Sequence, residues 1–173
     1  MKSLLKKVPV LAALMAVSSH AVIADTSAPA LNGMKIAVVK DAIGSQDIVD
    51  GDYAEGLTKL ASSDVQAYDK AMGICVANIK LNNLDAADVA CTSAIEEISS
   101  LNGRGRHAKF LKSVAYSNRA IVRYLSEDSE GALEDFTSAM LISDNDIVKD
   151  NLLTLKRIRL SAEERIVDTS LAD

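Results

Sequence analysis

Cys75 and Cys91 are the only two cysteines in the 173-residue chain and the residues best able to do chemistry. They do not form a C-x-x-C, so a redox centre of that kind is excluded. Two readings stay open for them: a disulfide, or two buried thiols serving as small hydrophobes. His107 has neither a second histidine nearby nor a Cys/His cluster of zinc spacing, so beside Arg106 and Lys109 it reads as a solvated residue near a helix start. Asp144-Asn145-Asp146 lacks the glycine and distal glutamate of an EF-hand loop and reads as a helix cap. No G-x-S-x-G, Walker loop or H-E-x-x-H occurs. The expectation is therefore no catalytic activity, no cofactor and no metal. Arg104, Arg106, Lys109 and Lys112 make a local basic cluster on an acidic chain. It reads as a solvated face, or as a docking point for an acidic partner that Arg119 and Arg123 would extend.

The compartment bears on the cysteines. Lys2, Lys6 and Lys7 precede an apolar run from Val8 to Val17, and small residues lead up to Asp25. This predicts a secretory signal peptide over 1–24, cleaved near Ala24. The apolar run is too short and interrupted to be a good membrane span. The rest of the chain is expected to be periplasmic or secreted, with no stable membrane insertion. Disulfides persist in such compartments, which favours the bonded reading. Cleavage would leave 16 basic against 24 acidic side chains, a net charge of −8 compared with −5 for the whole chain. That balance opposes binding to nucleic acid or to an anionic membrane surface. The chain has no tryptophan, two phenylalanines, and prolines only at positions 9 and 29. This usage fits helices packed through small residues better than a β-sandwich.

The elements that must position these side chains centre on Tyr116 to Met140. Tyr116, Ala120 and Tyr124 share one helical face, Ser126 to Ser129 read as a turn, and Ala132, Phe136, Ala139 and Met140 return at helical spacing. Ala71, Cys75, Ala87, Cys91 and Ala94 repeat the spacing of Tyr116, Ala120, Ala132, Phe136 and Ala139, with a turn at Asn82 to Asp85. The offset is 45 residues, and the length beyond a regular repeat is expected around Leu101 to Leu111, as longer helices flanking a glycine-bearing turn. Asp85 is a candidate cap for the second helix of this unit.

The pattern resembles a tetratricopeptide repeat, whose 34-residue unit is a helix–turn–helix with small residues at the helix contact and an Ala-x3-Phe-x2-Ala core. Two positions depart from it: Arg123 stands where an aromatic is usual, and Asp144 where a proline is usual. The resemblance implies an all-α array of two to three antiparallel helix pairs over residues 45–165. It also puts Cys75 and Cys91 at facing positions on the two helices of one unit. It implies a partner-binding groove lined by the first helices, through Met72, Val76, Ile79, Ser117, Ile121, Tyr124 and Leu125.

Around this array, residues 25–44 read as an extended leader, with Met34 to Val39 lying against the first helices or filling the groove. Ser45 is a candidate N-cap, and Gly51-Asp52-Tyr53 a turn within a degenerate leading unit that has Gly56 and Leu60 at the small and aromatic positions. Ile147 to Ile158 read as a C-terminal helix covering the last unit, and 166–173 as a frayed tail. The expected function is an exported protein-interaction module or adaptor with a protein or peptide partner in the cell envelope. The alternative is a binder of a small ligand or cell-wall fragment in the groove, which would show a pocket with convergent polar groups.

Overall fold

A computed structural model describes residues 31–40, 42–100 and 105–170, with side chains as far as 165. The signal segment, the first part of the leader, and Arg104 with most of its turn lie outside the described residues. Among the described residues, seven helices follow in order: α1 (Ser45–Asp50), α2 (Tyr53–Ser62), α3 (Ala67–Lys80), α4 (Leu84–Ser100), α5 (Arg106–Leu125), α6 (Ser129–Ile142) and α7 (Asp146–Ser170). The architecture is an all-α array of helix pairs, α1/α2, α3/α4 and α5/α6, closed by α7.

One turn joins all three pairs. Gly51, Asn82 and Glu127 each adopt a left-handed backbone, at φ of 96°, 57° and 65°. Around each, the same two bonds close the helix end: Asp52 N–H to Asp47 O with Gly51 N–H to Ile48 O, Asn83 to Asn78 with Asn82 to Ile79, and Asp128 to Arg123 with Glu127 to Tyr124. This is the Schellman arrangement, which satisfies carbonyls the helix leaves unpaired. Glycine and asparagine tolerate the left-handed region readily, whereas glutamate is strained there.

Counting from the turns aligns the interiors of the pairs. Gly44, Cys75 and Ala120 each stand seven residues before the turn residue, while Gly56, Ala87 and Ala132 stand five after it. Leu60, Cys91 and Phe136 follow at nine after, and all three are essentially inaccessible to solvent. In the first pair the backbones are so close that a Cβ on Gly56 would come within 3.0 Å of Gly44 O and 2.8 Å of the Ile48 side chain. The leading unit is thus a shortened copy of its neighbours, with glycines where they carry Cys75, Ala87, Ala120 and Ala132. The longer spacing between the later units lies where the sequence places it, since α4 has 17 residues and α5 has 20, against 14 each for α3 and α6.

Two capping expectations change. Ser45 is the first residue of α1 rather than its cap; Gly44 holds the cap position, and the Ser45 hydroxyl donates to Ala42 O. Asp85 lies inside the first turn of α4, where its charge favours the positive end of the helix. Asn145 caps α7, accepting from Val148 N–H at 3.2 Å, as the capping reading of 144–146 expects. α7 runs on to Ser170, through the start of the expected frayed tail, with good helix formers at 162–165 and a bond from Arg165 Nε to Ser161 O.

The array curves. α1 touches α3, α3 touches α5, and α5 touches α7, whereas α2, α4 and α6 do not touch one another among the described residues. The odd-numbered helices therefore form the inner, tighter layer. Residues 34–39 of the leader cross that layer in an extended conformation and belong to no helix or strand.

Candidate functional site: the inner face and its leader

Cys75 of α3 and Cys91 of α4 are joined as a disulfide, with Cα atoms 5.0 Å apart. The bond lies where Gly44 meets Leu60 in the first pair and Ala120 pairs with Phe136 in the third, and both sulfurs are in fully buried residues. A covalent link thus replaces the packing of a large side chain on a small one. It adds to a contact built from Tyr68, Ala71, Met72 and Ile79 of α3 with Ala87, Ala90, Ala94, Ile95 and Ile98 of α4.

Met72, Val76, Ile79, Ser117, Ile121, Tyr124 and Leu125 do lie on the inner helices, but they do not line an open groove. All seven are buried, Met72, Val76, Ser117 and Ile121 completely. Their partners include the leader. Met34 is buried with Ile79, Ile121, Tyr124 and Leu125; Ala37 and Val39 pack on the cluster containing Met72, and Ile36 and Val38 on that containing Val76. Of the two readings the sequence leaves open, a free groove or one filled by the leader, the structure has the second. Helical periodicity marks which residues face inward, and is silent about a distant segment lying over them.

Two asparagine side chains fasten the leader. Asn151 of α7 accepts from Lys35 N–H at 2.7 Å and donates to Lys35 O at 2.8 Å. Asn118 of α5 accepts from Ala37 N–H at 2.9 Å and donates to Ala37 O at 2.8 Å. Each carboxamide reproduces the paired exchange that a neighbouring β-strand would offer. The two residues held are two apart, as the alternation of an extended chain requires. Asn151 also donates to Ser117 Oγ at 3.0 Å, which fixes its orientation. Farther out, Asn32 Nδ2 donates to Tyr124 Oη at 2.9 Å, and Lys35 Nζ meets Asp150 Oδ2 at 2.7 Å. That last contact, chiefly its hydrogen bond, holds the Asp150 carboxyl below its usual range and the Lys35 ammonium above its own. On α3, the position equivalent to Asn118 is Gly73, and its space is taken by Leu60; a Cβ there would come within 2.6 Å of the Leu60 side chain.

Sequence reasoning assigned no role to Asn118, Asn151 or Asn32. The usable signal is an asparagine in a helix interior among inward-facing apolar neighbours, a poor helix former that needs a partner when buried.

Arg119 and Arg123 do not extend the basic cluster. Arg119 donates from Nε and Nη2 to the two oxygens of Asp135, at 2.8 and 2.9 Å, and from Nη1 to Thr92 Oγ1 at 3.1 Å. Its guanidinium lies 5.3 Å from the centre of the Tyr116 ring. Arg123 reaches the same carboxylate at 3.2 Å and the Gly131 carbonyl at 3.2 Å. These arginines tie α5 to α6 and α4, and Arg123 makes polar contacts where the resemblance expects an aromatic. The remaining described cations sit at the start of α5, with Arg106 and Lys109 exposed and Lys112 half-buried. That helix has no acidic residue in its first turn to offset them.

The described residues contain no group of three or more His, Cys, Asp or Glu side chains placed to hold a metal. No described helix is long and apolar enough to cross a membrane. An open groove on α3 and α4 has mainly apolar walls, including Ala71, Ile74 and Val89, with Lys70 and Glu97 also lining it. A second open pocket lies between the leader and α7, where Lys35, Asp150, Thr154, Lys156 and Arg157 bring several polar groups to its walls. No family model matches the chain, and no curated protein or solved structure does either.

Proposed function

We propose that this is an exported protein-interaction module of the tetratricopeptide-repeat kind, whose inner face takes up an extended segment of a protein partner in the cell envelope. The observation that carries this reading is the pair of carboxamide brackets on α5 and α7, which hold the backbone of Lys35 and Ala37. A face that recognises main chain through fixed amides and offers apolar ground between them suits strand-like peptide recognition. The repeat reading is supported by three helix pairs with one turn geometry and small residues at equivalent contacts. Export is supported by the basic-then-apolar start of the sequence and by the disulfide. No catalytic step is assigned.

The test is affinity capture from envelope extract with the purified protein, followed by amide-exchange footprinting of the complex. The expected result is a specific protein whose binding changes protection on α5, α7 or the leader. A partner that protects only the start of α5 would transfer the function to the basic cluster. No protein partner, with a cell-wall fragment retained instead, would overturn the adaptor reading.

A further inference from the structure

The leader covers the inner face without being built into it. Of residues 34–39, only Met34 is buried; Lys35 is exposed and Ile36 to Val39 are half-buried. Its hold is concentrated in two carboxamides, and these grip backbone atoms, which every residue except proline supplies in full. The next position in the alternation, Val39, packs on the cluster that contains Tyr68, Ala71 and Met72 of α3, and Gly73, the α3 equivalent of Asn118, has no side-chain amide to offer. The grip therefore covers two residues and stops. If the leader lifts, Asn118 and Asn151 are not stranded in a closed core; they face water or another extended chain. Segments with few fully buried side chains belong to the least stable, most readily opened part of a fold.

We infer that residues 31–39 are a displaceable strap, and that the segment they exclude is an extended stretch of a partner protein with free backbone N–H groups two residues apart and a long, flexible apolar side chain just before the first. Met34 marks the position of that side chain, and Lys35 and Ala37 mark the two amides. Because the strap is tethered to α1 through residues 40–44, it competes at an effective concentration on the order of millimolar. A weak partner is thus shut out, and a tight or locally concentrated one is admitted. This rests on the reading of the inner face as a peptide site.

Two measurements test it. In the unmodified protein, hydrogen exchange at the Lys35 and Ala37 amides is expected to run at least about a hundredfold faster than at Ile121 of α5, once corrected for intrinsic rates, as local opening requires. If both amides instead exchange only with global unfolding, the strap is part of the core and the inference fails. In the full chain carrying Lys35→Pro and Ala37→Pro, a labelled peptide of residues 31–40 is expected to bind at least about tenfold more tightly than to the unmodified protein, as removal of a tethered competitor requires. N-methylation of that peptide at Lys35 or Ala37 abolishes the binding, and N-methylation at Ile36 spares it. A variant that keeps its helicity yet ignores the peptide overturns the inference; if the variant does not fold, the exchange result decides. Peptide binding that no envelope protein competes with would sink the proposed function and leave the strap standing.

Discussion

The Asn118 side chain and the Ala37 backbone close a ring of two hydrogen bonds, 2.9 Å inward and 2.8 Å back, across 81 residues of chain. Asn118 is completely buried, and the ring is what satisfies its carboxamide. Replacing Asn118 with alanine is expected to cost about 1–3 kcal/mol in urea denaturation, the range for buried hydrogen bonds left unmade. Asn118→Asp should cost more, because a carboxylate would face the Ala37 carbonyl with no proton to give. A variant within about 0.5 kcal/mol of the parent, the usual range for surface substitutions, would mean that the ring contributes nothing.

The disulfide closes a loop with a sequence separation of 16. Converting Cys75 and Cys91 to alanine should lower stability by about 3 kcal/mol on the chain-entropy account. Helical content by circular dichroism should be nearly unchanged, since the neighbouring pair reaches the same geometry with Ala120 and Phe136. An undiminished denaturation midpoint would contradict that account.

Glu127 occupies a left-handed position that its equivalents, Gly51 and Asn82, occupy with less strain. Glu127→Gly should therefore stabilise the protein, by about 0.5–1 kcal/mol after the greater freedom of glycine in the unfolded chain is deducted. The same change at Asn82 should gain less. Thermal midpoints of the two variants check the ordering.

Asp135 is 5% exposed at its side chain, accepts from Arg119 and forms an ion pair with Arg123. Removing it alone leaves Arg119 without its carboxylate partner, and Asp135→Ala should cost about 3–5 kcal/mol. Replacing Arg119 and Asp135 together with apolar residues of similar volume should cost less than the single change. A double-mutant cycle measures the difference, and simple additivity would show that the pair is not coupled.

The Lys35–Asp150 pair gives a pH signature. Asp150 has a depressed folded pKa, so its contribution is in place above the ordinary carboxylate range, about pH 4, and is lost as pH falls below it. Lys35 has a raised folded pKa, so its contribution is whole below about pH 10 and is lost on further rise. The thermal midpoint of the parent should exceed that of Asp150→Asn at neutral pH, and the gap should narrow as the pH falls below the ordinary carboxylate range. Both groups are well exposed, so the gap should be small and shrink with salt. A gap that persists unchanged at low pH would exclude the ion pair as its cause.

What the sequence made legible follows from local spacing. Ala132, Phe136 and Ala139 announce a helix contact because their separation is a property of one short stretch. Cys75 and Cys91 stand on facing helices as the resemblance to a repeat unit implies. The fate of Met34 to Val39 could not be read so. An extended apolar run looks alike whether it lies over α1 or crosses to α7, and the asparagine that decides the matter lies 116 positions from Lys35. Arg119 reads in sequence as an extension of the docking cluster for a related reason: Asp135, the carboxylate that takes it, lies across the helix pair.

The path of the leader also sets an order of events. Residues 34–39 are synthesised before any helix, yet Asn151, which holds Lys35, belongs to the last. Ala37 can meet Asn118 once α5 is in place, but Lys35 must wait until the final helix has emerged, so an early stretch of the chain is fastened in full only at the end.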